Sequence, residues 1–292
     1  NPVSFHRYLT FQYVPDPDTM FQGIRKIPPA HRFKVERGKL TIAPYWTVQF
    51  CPERDHTVSH YVEEVKDVLA ESVARHRVGD VPRGAFLSSG VDSSSIVALL
   101  SRQEEVKTFT VGFDVGGYSE LEIARRTAST LGTDHHELLV DSRHYLEELP
   151  RLVWHQDEPV ADPSAVALYF LARLASRHVT VVFSGEGADE FFGGYNIYRE
   201  PEALWMFSHM PRSLRGGLER LATRLPRGIK GRGFLLRGSK TVEQRYFGNA
   251  FIFDEDLKKR IVANPESLRE NHPWEVTWPI YSKVSAMDDV TK

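Results

Sequence analysis

Cys51 is the only cysteine among the 292 residues. A single thiol excludes an internal disulfide framework and any CxxC metal site, and it suits a reducing cytosol, so a cytoplasmic protein is expected. Long hydrophobic runs are also missing. The longest, such as "IVALL" and "VTVVF", stop far short of the ~20 residues of a bilayer span, so no membrane partner is expected. No basic stretch followed by an apolar core opens the chain as a secretory signal would. An excess of one charge is lacking too. The 37 Lys and Arg stand against 39 Asp and Glu, a net charge of -2 that sets up no global field for nucleic acid or an anionic surface. Internal repeats, low-complexity tracts and the GxxxxGKS/T phosphate loop are absent. The first residue is Asn1 rather than methionine, and a piece of a longer protein is expected.

What is present reads as an ordinary globular chain, 41% hydrophobic and 26% charged, which supports a sizeable core. Residues 1–50 predict a short helix, "SFHRYLTFQ", a Pro-rich loop, and two alternating strands, "HRFKVE" and "KLTIAPYW", joined in a hairpin at Arg37-Gly38. "CPERDH" reads as a linker. From Thr57 the period changes, and Val58, Tyr61, Val62, Val65, Val68, Leu69 and Val73 fall on one face of a helix. Strands "GAFLS", "VKTFTVGF", "HHELLV" and "VTVVFS" then alternate with helices "SSSIVALLSR", "ELEIARRTASTLG", "RHYLEELPRLVWH" and "SAVALYFLARLAS". Such alternation predicts βαβ units, an α/β fold with a parallel sheet flanked by helices on both faces. "VTVVF", β-branched and unrelieved by polar residues, is expected as a central strand. From about Pro201 to Lys292 a helical C-terminal annex is expected, with the aromatic-rich "YFGNAFIF" as part of its packing.

In an open parallel sheet, ligands bind beyond the carboxyl ends of the strands. Two of those ends are dense in polar residues: "SSGVDSS" after "GAFL", and "SGEGADEFFGGY" after "VTVVF". In the first, a helix starting near Asp92 or Ser93 leaves backbone N–H groups unpaired, and its dipole favours an anion. Ser88, Ser93 and Ser94 add hydroxyl donors, and Gly90 lets backbone approach a phosphate closely. Asp92 would repel a bare phosphate, so its presence makes sense with Mg²⁺ between them. A serine-capped strand-to-helix turn accounts for the same residues without a ligand, and this loop alone leaves both readings open. In the second loop, Glu186, Asp189 and Glu190 crowd among Gly185, Gly187, Gly193 and Gly194. Their mutual repulsion is a cost that a metal or a cationic reactant would offset. A merely solvated acidic turn does not require those glycines.

With both loops in view, "LSSGVDSS" resembles the pyrophosphate-binding loop of the ATP-pyrophosphatase family. "FSGEGADEFFGGY" resembles the matching signature of glutamine-dependent asparagine synthetases. "TFTVGF", "GYSELEIARRTASTLGTDHHE" and "DEPVADPSAVALYFLAR" fall in that family's order and spacing. "YLTFQYVPDPDTMFQGIRKIPPAH" with "YW" resembles the end of its glutaminase domain. The likeness covers nearly the whole chain, and it implies an adenine-nucleotide hydrolase-like (PP-loop) fold. It also implies that residues 1–56 are the tail of an N-terminal glutaminase domain with its linker, and 57–292 a synthetase domain truncated at its C-terminal end.

The reaction implied is ATP-dependent amide synthesis. ATP adenylates the side-chain carboxylate of aspartate with release of pyrophosphate, and ammonia derived from glutamine displaces AMP to give asparagine. Carried over by position, the resemblance implies Ser88, Gly90, Asp92, Ser93 and Ser94 for pyrophosphate, and Asp92 and Asp189 for Mg²⁺. It implies Glu186 as the base for the attacking ammonia, and Leu87, Val111, Ser184 and Gly185 around the nucleotide. The partners implied are ATP, aspartate or a related carboxylate, ammonia, and the glutaminase domain of the same parent chain; a homodimer stays open.

Three departures stand out. Ser89 replaces the glycine usual at that position. The catalytic N-terminal cysteine of the glutaminase is absent, so the chain is expected not to use glutamine by itself. The chain also stops at "MDDVTK", before the family's later segments, among them a basic residue expected to help hold pyrophosphate. Asp157, Glu158, Asp162 and Ser164 are candidates for the acceptor pocket, with helix capping by Asp162 as the competing role. An amidotransferase acting on another carboxylate, such as peptidoglycan diaminopimelate, is one alternative. A PP-loop enzyme that modifies tRNA is another, prompted by nine Lys or Arg against the single acid Glu219 in residues 211–240. His135 and His136, adjacent on a strand, face opposite sides and suit no shared metal.

Overall fold

In chain order, the first 50 residues form helix α1 (Pro2–Phe11) and a hairpin of β1 (His31–Glu36) and β2 (Lys39–Pro44). Arg37 and Gly38 both take positive φ, 51° and 76°, the left-handed pair that a tight two-residue turn between right-twisted strands requires. The alternation then follows: α2 (Val58–His76), β3 (Arg83–Phe86), α3 (Val91–Ser101), β4 (Lys107–Phe113), α4 (Leu121–Leu131), β5 (Asp134–Val140), α5 (Ser142–Gln156), α6 (Ser164–Ala175), β6 (Val181–Phe183) and α7 (Ala188–Phe192). Among the described residues the remainder forms short helices: α8 (Glu200–Ala203), α9 (Trp205–Ser208), α10 (Arg212–Arg224), α11 (Arg232–Gly238), α12 (Val242–Arg245), α13 (Glu255–Ile261) and α14 (Trp274–Tyr281).

This computed structural model describes residues 1–53, 55–114, 120–226, 228–248, 252–264 and 272–292. Positions 249–251 of "YFGNAFIF" and 117–119 of "GYSELEIARR" lie outside the described residues. No helix among the described residues is long and apolar enough to cross a membrane. The chain divides into two compact units, one of residues 51–157 and 162–193, the other of 1–50, 158–161 and 194–292.

The first of these units holds a four-stranded parallel sheet in the order β5-β4-β3-β6. The parallel pairing follows from the α-helical crossovers between successive strands. Its core lies on both faces. Ala85 and Leu87 at the end of β3 pack with Val73 of α2, Val97 and Leu100 of α3, and Ala124 and Ala128 of α4. On the other side Phe109 packs with Ala175 and Val179, and Val140 with Leu152, Val166 and Phe170 of α5 and α6. Each fully buried Val, Leu or Phe contributes about 1.5–3 kcal/mol. The predicted α/β architecture and its helical annex are what the chain forms.

Two expectations need correction. β6, expected as a central strand, is three residues long and lies at the sheet's edge, with Val181 41% exposed. An unbroken apolar run reports helices covering both faces of a strand, and is silent on whether hydrogen-bonded neighbours flank it. Helix α2 forms as predicted, capped by the Thr57 hydroxyl accepting from His60 N–H. Its apolar face, however, is mostly open: Val58, Val62, Val65 and Val68 are exposed, and Val73 alone is buried. Only the last turn of the helix reaches the core.

The second unit carries the hairpin, where cross-strand pairs Phe33–Ile42 and Val35–Leu40 share one face and all four side chains are exposed. Glu158, buried here, accepts from Met20 N–H and pairs with Lys26 Nζ, both at 2.5 Å.

Candidate functional site

The site is built where β3 and β6 end and α3 and α7 begin. Past the last residue of β3, the ladder continues by one bond, Leu87 N–H to Phe109 O at 2.9 Å, and buried Thr110 donates its hydroxyl to Leu87 O at 2.5 Å. These two bonds fix the direction in which Ser88 leaves the sheet. Helix α3 starts at Val91, one or two residues earlier than expected, with Gly90 as an extended N-cap that offers no side chain.

The serine loop is held by its own hydroxyls. Ser88 and Ser93 Oγ lie 2.8 Å apart, Ser88 N–H donates to Ser93 Oγ, and Gly90 N–H donates to Ser88 Oγ at 3.1 Å. Ser94 Oγ donates back to Gly90 O at 2.7 Å, and Ser95 Oγ to Val91 O at 2.8 Å. Ser88, Gly90, Ser93 and Ser94 therefore form one connected turn, with Asp92 exposed in the first turn of the helix.

The second loop meets the first at Gly185. A Cβ placed on Gly185 would sit 2.8 Å from Ser93 N and 2.9 Å from the Asp92 carbonyl carbon. Only glycine allows the "SGEGADE" backbone to lie directly on the start of α3. Ser184 Oγ accepts from Glu186 N–H at 3.3 Å and shapes the turn, and Gly187 supplies a left-handed φ of 88° before α7. Glu186 is exposed, and Asp189 lies in the first turn of α7. Among the described residues the carboxylates of Asp92, Glu186 and Asp189 have no hydrogen-bond or ion-pair partner. The structure thus joins Ser88, Gly90, Asp92, Ser93, Ser94, Ser184 and Gly185 in one constellation. Leu87 is tied to β4 next to Val111 through Thr110.

One contact had escaped the reading of the sequence. Glu120, the residue preceding α4, leaves its own helix uncapped and instead accepts from Ser89 N–H at 3.1 Å. The Ser89 amide thus holds a carboxylate. An acid at a helix-start position was the available signal, but its partner lies 31 residues away.

Two of the four acceptor candidates, Asp162 and Glu158, have carboxylates that are already engaged. Asp162 Oδ1 accepts from Ser164 N–H at 2.9 Å, the capping role. Asp157 closes α5 in a left-handed conformation, φ 61°, and Glu158 serves Met20 and Lys26. His135 Nδ1 pairs with Thr108 Oγ1 while His136 stacks on Phe109, so the two rings do lie on opposite faces. Burial holds His135 below the ordinary histidine value.

With that geometry in hand, comparison with known proteins is specific. The family model for asparagine synthase matches residues 64–277. The asparagine synthetase (glutamine-hydrolyzing) 1 of Bacillus subtilis is 40% identical across 99% of this chain and 46% of its own length. The putative asparagine synthetase (glutamine-hydrolyzing) of Mycobacterium tuberculosis H37Rv is 39% identical, across 99% of this chain and 45% of its own. A protein of Penicillium rubens named amidase chyE is 32% identical over 66% of this chain. The chain spans a little under half the length of the first two.

Proposed function

The chain belongs to the asparagine synthase family, and from that premise we propose that it carries the ATP-dependent amide-forming reaction of an asparagine synthetase. In this reading a side-chain carboxylate oxygen of aspartate attacks the α-phosphorus of ATP, and the bond to the β-phosphate breaks, so pyrophosphate leaves. Ammonia then attacks the acyl carbon, the bond to AMP breaks, and a proton passes to Glu186. The observation that carries the reading is the seating of Gly185 on the Asp92–Ser93 backbone, which brings the acidic loop onto an anion-favouring helix start.

Each residue has a definite task. The N–H groups at the start of α3 and the hydroxyls of Ser88, Ser93 and Ser94 take the leaving pyrophosphate, with Gly90 permitting close approach. Leu87, Val111, Ser184 and Gly185 line the nucleotide. Asp92 and Asp189 offer oxygen donors alone, the set Mg²⁺ takes when phosphate and water complete its shell. Bound there, Mg²⁺ would neutralise charge on the departing pyrophosphate. Glu186, free of protein partners among the described residues, is available to take the proton from the attacking amine.

Residues 1–56 are, in the same reading, the tail of a glutaminase domain of the parent protein, which supplies ammonia, and 57–292 the synthetase portion. The deciding measurement is product analysis on the full-length parent with ATP, ammonia and a panel of carboxylates including aspartate and diaminopimelate. AMP and pyrophosphate in equal amounts with amide are expected, and the best carboxylate names the acceptor. ADP and orthophosphate as products refute adenylation.

A further inference from the structure

The unit that includes residues 194–292 holds a pocket of about 180 Å³ that the amide chemistry does not use. Four cationic residues line it together with two acidic ones: Arg215 of α10, Lys240, Arg245 of α12 and Lys292, with Glu243 and Asp289. Two of the cations are already matched. Arg245 is held by Glu200 at 2.9 Å and by Lys240 O at 2.9 Å, and Lys292 reaches Glu243 at 3.1 Å and Asp289 at 3.3 Å. Arg215 and Lys240 have no ion-pair or hydrogen-bond partner for their side chains among the described residues. Arg215 Nε is moreover buried without an acceptor, a state that folded proteins avoid unless something else supplies one.

We propose that this pocket binds a small divalent oxyanion, a phosphate group held by Arg215 and Lys240. Its chemistry follows from the inventory. Both unmatched groups are donors only, and a guanidinium presents its N–H groups in the fork that phosphate oxygens match. The volume is below the ~300 Å³ at which sites for whole drug-sized molecules begin, so the pocket takes the charged group rather than an entire nucleotide. The inference also accounts for part of the basic run of residues 211–240. Arg232 Nε donates to Leu225 O, Arg237 pairs with Glu200 at 2.6 Å, and Arg215 and Lys240, from near the two ends of the run, meet at one pocket. Arg232 and Arg237 are thus engaged within the fold, and Arg215 and Lys240 converge on the pocket.

The test is a titration of inorganic phosphate into the chain, read calorimetrically and at the Arg215 Nε–H resonance, with sulfate, nitrate and aspartate as comparison anions. Arg215→Lys keeps the charge and removes the Nε donor, and Lys240→Gln removes the second cation. Saturable binding that shifts the Arg215 resonance, favours phosphate and sulfate over nitrate and aspartate by tenfold or more, and weakens at least tenfold in each variant is expected. Phosphate that binds without moving that resonance, binds with unchanged affinity in Lys240→Gln, or does not saturate overturns the proposal. If Arg215→Lys fails to fold, the resonance and Lys240→Gln decide.

Discussion

Gly185→Ala is the sharpest perturbation the site offers, because its cost can be worked from one contact. The added Cβ would stand 2.8 Å from Ser93 N and 2.9 Å from the Asp92 carbonyl carbon, against the 3.4 Å at which ordinary contact begins. Both obstructing atoms are backbone at the start of α3, so no side chain can rotate away. The two loops must separate by about 0.6 Å or the backbone must strain, and forced overpacking of this kind costs about 1–3 kcal/mol. At roughly 2–4 °C per kcal/mol, melting temperature should fall by about 2–12 °C. Catalytic groups displaced by most of an ångström lose on the order of 10- to 100-fold in rate. Gly90→Ala is the control, since its Cβ would meet only Ser88 Oγ, at 3.3 Å, a rotatable atom. Calorimetric melting and pyrophosphate release should therefore show a destabilised, slow Gly185→Ala and a Gly90→Ala of near-native melting temperature with weakened pyrophosphate binding. A Gly185→Ala protein with native melting temperature and native turnover would show that the two loops do not meet as described.

Glu186→Gln should bind ATP within about threefold of the native protein yet lose amide product by about 100-fold or more, as removal of a general base does; isotope-labelled ammonia followed into product measures it. Glu120→Gln removes the charge that now sits on Ser89 N–H, so pyrophosphate should bind about fivefold tighter, worth about 1 kcal/mol. Weaker binding in that variant, read by titration calorimetry, would instead make Glu120 a contributor to the site. Burial alone would raise Glu104, but hydrogen bonds from Arg77 and Arg83 more than reverse it, so its carboxyl lies below the usual 4.5. Its stabilising contribution is therefore present above about pH 4.5 and is lost as pH falls through the lower folded value. Urea melts at descending pH should show Glu104→Gln about 1 kcal/mol less stable at pH 7, with a shallower acid limb.

The two loops were legible in the sequence because their chemistry is local: serines, glycines and acids placed just past apolar runs. The alternation of strands and helices was legible for the same reason. What was not legible depends on partners distant in the chain. β6 reads as central because its composition records burial on its faces, whereas edge position depends on a strand that fails to pair. Val62, Val65 and Val68 of α2 carry a core-like period without a core against them. Glu120 and Ser89 are 31 residues apart, and nothing in either segment names the other. Glu158 looked like a pocket acid, and its real contacts, Met20 and Lys26, lie more than a hundred residues earlier.

The self-bonded serine loop bears on kinetics as well as on shape. Because Ser88, Ser93 and Ser94 already fasten the turn through one another and through Gly90, the loop does not have to order itself when an anion arrives. Only hydroxyl rotors and one carboxylate need to turn, motions of picoseconds to nanoseconds. Association should then be limited by diffusion and by long-range charge rather than by a closing segment, and differences in affinity among anions should appear in how slowly each one leaves.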